Sequence, residues 1–170
     1  DVDPRSKDPV FRAASPFGKI PAIDHLGYCL SDSTAIITYL NAKVPDPALV
    51  PSEPSVLGLA TWLEEFADTV LAPAAMPIIH NRFLKPCIFG VEGDSELADQ
   101  ADAAFPSLLE YLERHVTEER WVLDDFSIAD IAIGSVFRTL EYTGYGLNPR
   151  HYPKLNNWYQ RLGNRTSWSV

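Results

Sequence analysis

The segment Ser15-Pro16-Phe17-Gly18-Lys19-Ile20-Pro21-Ala22-Ile23 decides the fold of the first part of the chain. Its prolines and glycine favour a loop, and residues 19–26 alternate between apolar and polar side chains. A second apolar stretch begins at Gly27-Tyr28-Cys29-Leu30, after a tight turn at 24–27. Two short stretches of this kind, joined by a tight turn, predict a β-hairpin.

The sequence on either side of this hairpin predicts helices. Residues 8–14 have a short helical pattern that ends at Ser15-Pro16, and apolar residues recur at helical spacing between 33 and 44. A two-stranded hairpin with two helices is too small to bury a core of its own. We therefore expect further strands to pair with the hairpin, supplied by residues before Asp1 or by another chain.

The remainder of the chain predicts an all-helical region. Residues 44–55 contain four prolines, a density that excludes helix and strand interiors and predicts an interdomain linker. After the linker, helical patterns occur at 59–70, 97–116, 127–142 and 154–162. We expect Pro73 and Pro77 to kink or break the first helix, and Pro106 to bend the second.

Composition and charge exclude several classes of function. The 170-residue chain has a formal net charge of −9 and a pI near 4.8, and its Lys and Arg residues are scattered. Nucleic-acid binding requires a basic patch, and anionic lipid repels an acidic protein, so we expect no nucleic acid and no membrane as partner. The two cysteines, Cys29 and Cys87, lie in separate segments. This favours a reduced, cytoplasmic location and buried, unreactive thiols.

The stretch Leu30-Ser31-Asp32-Ser33-Thr34-Ala35-Ile36 supplies candidate ligand-binding groups. Asp32-Ser33 directly before a helical pattern fits an N-cap. The same pair also fits a site for a zwitterion at the positive end of a helix. Ser33 would donate to a carboxylate, and Asp32 would accept from an ammonium group. Both interpretations are open from this stretch alone.

A third stretch, Phe126-Ser127-Ile128-Ala129-Asp130-Ile131, has the pattern of a capping box. Ser127 stands at the N-cap and Asp130 at the N3 position of a predicted helix, with Phe126 and Ile131 at the hydrophobic-staple positions. The predicted role of Ser127 and Asp130 is therefore structural.

In this order, the three motifs resemble the soluble glutathione transferase family over residues 8–168, as does the later Tyr152-Pro153-Lys154-Leu155 with Trp158. The resemblance implies an α/β thioredoxin-like domain, incomplete and represented by its later half at residues 1–43. A linker at 44–55 and an all-α helical-bundle domain at 56–170 follow. It further implies a cytoplasmic homodimer that conjugates the glutathione thiolate to a hydrophobic electrophile, a detoxification reaction.

The resemblance also assigns glutathione-binding roles. In the family, the bond before the proline that matches Pro21 is cis, and it turns the N–H and C=O of the preceding residue, here Ile20, toward the glutathione backbone. Asp32, where the family more usually has Glu, and Ser33 would hold the γ-glutamyl group. Lys19 would pair with the glycine carboxylate of glutathione or remain a solvated surface lysine.

The resemblance does not identify a catalytic residue in this chain. The family's Ser, Tyr or Cys lies near the end of a first strand, in a strand-helix-strand unit that we expect before Asp1. Relatives on this fold also act as glutathione-dependent isomerases, dehalogenases or thiol reductases, or as non-catalytic assembly modules. We expect Trp62, Phe66 and Met76 to pack in the core, with an electrophile pocket as the alternative. The four histidines lack metal-ligand spacing, so no metal is expected.

Overall fold

The computed structural model describes residues 6–168, and the chain divides into two compact units. The first unit lies in Asp1–Val50 and the second in Pro51–Val170. The boundary between them falls inside the segment 44–55. Among the described residues, no helix combines the length and apolar character needed to cross a bilayer.

The first unit is a β-hairpin with two helices. Its elements are α1 (Pro9–Ala14), β1 (Ala22–His25), β2 (Tyr28–Ser31) and α2 (Ser33–Lys43). The strands pair antiparallel, from Ala22 opposite Ser31 to His25 opposite Tyr28, which confirms the predicted hairpin. Both helices contact the strands. Within the described residues, the sheet consists of these two strands.

The tight turn of the hairpin follows from its two central residues. Leu26 and Gly27 have φ angles of 55° and 85°, and two-residue hairpin loops need such positive angles to match the twist of the strands. The Gly27 N–H donates to Oδ1 of Asp24 at 2.8 Å. Asp24 and Gly27 thus fix the turn that brings β2 back along β1.

The second unit is helical, which confirms the predicted succession of an α/β unit and an all-α unit. Its α-helices are α3 (Pro54–Phe66), α4 (Ala72–Ile79), α5 (Ser95–Ala104), α6 (Pro106–His115), α7 (Ile128–Glu141) and α8 (Pro153–Gly163). Two π-helical segments, Ala67–Leu71 and His80–Phe89, flank α4, and a short 3₁₀ turn occupies Thr166–Trp168.

Of the two outcomes expected at Pro73 and Pro77, a kink or a break, the break does not occur, because the chain stays helical from Pro54 to Phe89. Pro73 and Pro77 both lie inside this run, so each lacks the backbone N–H that a helix interior uses for a hydrogen bond. The wider turns of the π-helical segments on either side accommodate backbone groups that a proline leaves without a helical partner. The interruption expected at Pro106 is present, because α5 ends at Ala104 and α6 begins at Pro106.

The core of the helical unit draws on all six of its α-helices. Its largest fully buried side chains are Trp158, Phe105, Leu63, Leu71, Ile78, Leu109, Leu112, Ile133, Leu140, Leu155, Leu162 and Val116. Phe66 joins this core, as predicted, but Trp62 and Met76 are 52% and 47% exposed, so their predicted core packing is wrong. On α3, the core-facing positions are those of Leu63 and Phe66, and Trp62 stands beside them on the outer side.

The prediction that both cysteines are buried is also wrong. Cys29 is half-buried on β2, and Cys87 is exposed. Cys87 lies three residues before Gly90, whose left-handed backbone ends the helical run. The neighbouring Pro86, Ile88 and Phe89 are exposed as well, because this end of the segment extends beyond the core.

Candidate functional site

The loop between α1 and β1 presents Lys19 and Ile20 to solvent. The buried Ser15 hydroxyl donates to the Lys19 carbonyl at 2.7 Å, and the Gly18 N–H donates to the Ser15 carbonyl at 3.0 Å. Gly18 has a φ of 70°, an angle that glycine adopts without a side-chain penalty. Held in this way, Ile20 is 60% exposed, and the bond between Ile20 and Pro21 is cis, as predicted.

A backbone hydrogen bond joins the first two sequence motifs. The Asp32 N–H donates to the Pro21 carbonyl at 3.2 Å, one step beyond the last ladder pair of Ala22 with Ser31. This bond places Pro21 beside Asp32, the N-cap residue of α2. Two stretches that lie about ten residues apart in sequence therefore meet at one end of the hairpin, which spacing alone did not reveal.

Asp32 has an unusual backbone conformation. Its φ of 87° with ψ of 130° lies outside the regions that residues with a side chain normally adopt. Such strain persists only where the surroundings impose it, and it is concentrated at ligand sites. Here it is imposed by the Pro21 bond on one side and by α2 on the other. The conformation also lets Oδ1 of Asp32 accept from the Ala35 N–H at 3.1 Å as the N-cap of α2.

The electrostatics of this end suit a zwitterionic group. Ser33 is the first residue of α2, where backbone N–H groups have no helical partner and the helix dipole is positive. The exposed Asp32 carboxylate stands directly beside these donors. Lys19 is exposed and forms no ion pair with any described residue. The site thus offers donors for a carboxylate next to an acceptor for an ammonium group.

The third motif lies in the helical unit and forms a buried polar network. The Ser127 N–H donates to Oδ2 of Asp130 at 3.0 Å, and the Ser127 hydroxyl accepts from the Ala129 N–H at 3.3 Å, so both halves of a capping box are present. Oδ1 of Asp130 also accepts from the Val122 N–H at 3.1 Å and from Nε1 of Trp158 at 2.7 Å.

Burial dominates the titration of Asp130. Its side chain has no exposed surface, and this desolvation raises its pKa, whereas the bonds from Trp158, Val122 and Ser127 act in the opposite direction. Sequence analysis did not foresee the part of Trp158 in this network. The signal was present in the Tyr-Pro-x-Leu-x-x-Trp stretch, since a buried indole needs an acceptor for its N–H.

Two histidines in the described part of the chain each lie beside one polar partner. Nδ1 of His25 and the hydroxyl of Tyr39 lie 2.6 Å apart, and the His115 Nδ1 lies 2.7 Å from the Tyr111 carbonyl. In residues 6–168, no group of three or more His, Cys, Asp or Glu side chains is arranged to hold a metal ion.

Both units of this chain are similar to parts of known proteins. A family model described as the N-terminal domain of glutathione S-transferase matches residues 1–48, and one described as its C-terminal domain matches residues 95–161. Glutathione S-transferase F9 of Arabidopsis thaliana is 24% identical over 178 residues, which cover 95% of this chain and 77% of the plant protein.

Solved structures show the same likeness. A glutathione S-transferase from Rhodospirillum rubrum has a TM-score of 0.88 at 23% identity, over 98% of this chain and 76% of the bacterial one. Glutathione S-transferase I from maize, solved with an atrazine glutathione conjugate, has a TM-score of 0.81 at 25% identity, over 96% of this chain and 76% of its own. The thioredoxin-like assignment of the first unit and the helical-bundle assignment of the second are confirmed.

Proposed function

Because this chain belongs to the glutathione S-transferase family, we propose that Lys19, Ile20, Pro21, Asp32 and Ser33 bind glutathione for the transfer of its thiol to a hydrophobic electrophile. The observation that carries the proposal is the hydrogen bond from Asp32 to Pro21, because it joins the two groups of candidate residues into one surface.

The γ-glutamyl end of glutathione has the charges that the start of α2 complements. Its α-carboxylate would accept from the Ser33 hydroxyl and N–H, aided by the helix dipole, and its α-ammonium would donate to Asp32. The strained backbone of Asp32 supports this role, since an N-cap alone does not require a φ of 87°. Asp32 has a shorter side chain than the Glu that the family more usually has at this position.

The middle of glutathione would lie against the loop. The Ile20 backbone N–H and C=O form no hydrogen bond with described residues, and an extended peptide adds to such an edge as a further strand. Lys19 would then face the glycine carboxylate of glutathione.

The reaction needs the thiolate, because the thiolate and not the thiol is the nucleophile. A free thiol has a pKa of about 8.5, which a hydrogen-bond donor and a positive helix end lower. The sulfur then forms a bond to the electrophilic carbon while the leaving group departs with its bonding electrons. Holding both reactants in one orientation supplies much of the rate enhancement.

A charge-only substitution tests the glutathione site. Asp32→Asn keeps an N-cap residue of equal quality and tolerates positive φ, but it removes the anionic acceptor. In the full-length protein we expect the Kd for glutathione, measured by calorimetry, to rise about ten-fold or more. Lys19→Ala should raise the KM for glutathione, and Lys43→Ala, at the exposed end of α2, should not. An unchanged Kd in Asp32→Asn would contradict the proposal.

The electrophile is tested by turnover. Full-length protein should form a thioether from glutathione and an activated aryl chloride such as chlorodinitrobenzene, with release of chloride in equal amount. A protein that binds glutathione but forms no conjugate with any of a panel of aryl chlorides, epoxides and enones would instead indicate one of the other glutathione-dependent reactions.

We also propose a homodimer in the cytoplasm. Phe17, in the loop between α1 and β1, is 88% exposed, and Trp62 on α3 is 52% exposed. Large exposed aromatic side chains are typical anchors of protein interfaces. The cytoplasmic location is supported by Cys29 and Cys87, which are both free thiols, as is usual in a reducing compartment. Sedimentation should give a dimer at micromolar concentration. Phe17→Ser should weaken it, whereas Leu26→Ser, at the equally exposed hairpin turn, should not.

A further inference from the structure

Ser15 is a buried polar residue in the loop between α1 and β1. Its exposed fraction is 1%, whereas residues 16–21 of the same loop are all partly or fully exposed. A buried hydroxyl is unfavourable unless it forms hydrogen bonds, so the contacts of Ser15 show what it does. Ser15 is not among the residues proposed above to bind glutathione, but it lies in the loop that carries three of them.

The backbone N–H, the backbone carbonyl and the hydroxyl of Ser15 each form a hydrogen bond. The N–H donates to the Phe11 carbonyl at 2.7 Å, at the end of α1, and the carbonyl accepts from the Gly18 N–H at 3.0 Å. The hydroxyl donates to the Lys19 carbonyl at 2.7 Å. Ser15 therefore connects α1 to the peptide group that follows Lys19, and it fixes the orientation of that peptide group.

The direction of the Lys19 carbonyl also sets the direction of the Ile20 N–H. Both belong to the Lys19–Ile20 peptide unit, which is planar and trans, so the two groups point in opposite directions. Because the carbonyl points toward the buried Ser15 hydroxyl, the N–H points away from it. Ile20 is 60% exposed, and its N–H has no hydrogen-bond partner among the described residues. The Ile20 N–H is thus a donor held in a fixed direction and available to a ligand.

We propose that Ser15 is a positioning residue for glutathione. Its hydroxyl holds the Lys19–Ile20 peptide unit so that the Ile20 N–H donates to the cysteinyl carbonyl of the bound peptide. The inference rests on the proposed function, which lays the middle of glutathione against this loop, and it adds the residue that orients the loop. Hydrogen bonds between main chains supply affinity in this mode of binding, and their strength depends on direction. Ser15 itself is buried, so it acts through the loop and without contacting glutathione.

The role predicts an effect on binding rather than on the chemical step. Without the Ser15 hydroxyl, the peptide unit takes up other orientations, and glutathione has to select one of them on binding. The cysteinyl carbonyl is unchanged when the sulfur reacts, so its hydrogen bond is equally strong in the ground state and in the transition state. Losing such a bond raises KM and leaves kcat unchanged.

The test is Ser15→Ala in the full-length protein, because this change removes the donor and adds no atoms. We expect the Kd for S-methylglutathione, measured by calorimetry, and the KM for glutathione to rise about five-fold. The kcat with chlorodinitrobenzene should change by less than about two-fold. Ser15→Thr retains the hydroxyl and should restore most of the affinity. Thr38→Ala removes an exposed hydroxyl that donates to a carbonyl within α2, at 2.8 Å, and should bind as the parent does.

Hydrogen exchange of the Ile20 amide tests the same role in the parent, without any variant. An amide that has no partner exchanges rapidly, and a hydrogen bond to a ligand slows it. We expect saturation with S-methylglutathione to slow exchange of the Ile20 N–H, followed by NMR, by about ten-fold or more. Unchanged exchange at saturation would overturn the proposal, and this measurement decides the outcome if Ser15→Ala fails to fold.

Asp32→Asn separates the failure of this inference from the failure of the proposed function. If Asp32→Asn binds S-methylglutathione as the parent does, the proposed site is wrong and the inference with it. If Asp32→Asn binds more weakly but Ser15→Ala has the affinity of the parent, the site stands and the role of Ser15 is wrong. A loss in Ser15→Ala that appears in kcat with no change in KM would also overturn the inference. Far-ultraviolet circular dichroism identifies any variant that fails to fold.

Discussion

Asp130 is the residue whose loss we expect to destabilise the helical unit most. Its buried carboxylate accepts from the N–H groups of Ser127, Val122 and Trp158. Asp130→Ala leaves all three donors without their partner at once. Because Trp158 belongs to α8 and Val122 to the segment before α7, the substitution would loosen contacts between distant parts of the chain as well as one helix end.

The magnitude follows from two opposing contributions. A hydrogen bond to a charged group contributes ~1.5–3 kcal/mol, so the three bonds together correspond to roughly 4–9 kcal/mol. Removing the carboxylate also relieves the cost of burying a charge, which is several kcal/mol for an ion with no exposed surface. We expect the free energy of unfolding to fall by about 3 kcal/mol, with a decrease in Tm of roughly 10 °C.

Tryptophan fluorescence during urea denaturation measures the free energy of unfolding of the helical unit. All four tryptophans, at positions 62, 121, 158 and 168, lie in the helical unit, so the signal reports its unfolding separately from the first unit. Asp125→Ala, a nearby exposed acid, is the matched control and should change stability by less than ~0.5 kcal/mol. A loss below about 1 kcal/mol in Asp130→Ala, or an equal loss in the control, would refute the reasoning.

Four further predictions concern the helical unit. The Glu113 carboxylate accepts from the first two N–H groups of α8 at 3.0 and 2.8 Å, so Glu113→Gln should destabilise the unit by ~1–2 kcal/mol in urea denaturation, and the exposed Glu110→Gln should not. A Cβ at Gly93 would lie 1.8 Å from the backbone oxygen of Asn81, so Gly93→Ala should cost ~1–3 kcal/mol. Gly58→Ala, in open space on α3, should instead stabilise by ~0.5–1 kcal/mol in the same assay. Burial raises the pKa of Asp130 above its ordinary value, so the part of its stabilisation that comes from protonation is complete below the unfolded pKa and is lost as pH rises through the folded pKa. Asp130→Asn cannot titrate, and the stability difference between parent and variant should therefore be largest in acid and shrink with rising pH.

Local signals made much of this fold predictable from sequence. The helices α1, α2, α7 and α8 were placed within one residue and the hairpin strands within three, because each element is bounded by a proline, a glycine or a capping residue that acts on its immediate neighbours. The capping residues of α7 belong to the same class, since Ser127 and Asp130 are three positions apart. Where a structural cause lies within a few residues, the sequence displays it.

Features that depend on distant contacts were not predictable in this way. The continuous helical run through Pro73 and Pro77 needs π-turns that no local rule indicates. The bond from Asp32 to Pro21 depends on the register of two strands, and the bond from Trp158 to Asp130 joins residues 28 positions apart. The glutathione-binding residues were nominated by resemblance and remain a proposal, although the hairpin brings Pro21 and Asp32 into contact.

Asp32 and Asp130 show how the same residue type at a helix start acquires different roles. Both carboxylates accept hydrogen bonds in the first turn of a helix, so the sequence alone describes both as capping residues. Asp130 is fully buried, and its two oxygens are occupied by three N–H donors, which leaves it no capacity for a ligand. Asp32 is exposed, holds a strained φ of 87°, and accepts one bond through Oδ1. Stability explains the first arrangement completely. The second arrangement leaves an exposed carboxylate with capacity to accept a further hydrogen bond, which under the proposed function comes from the α-ammonium group of glutathione.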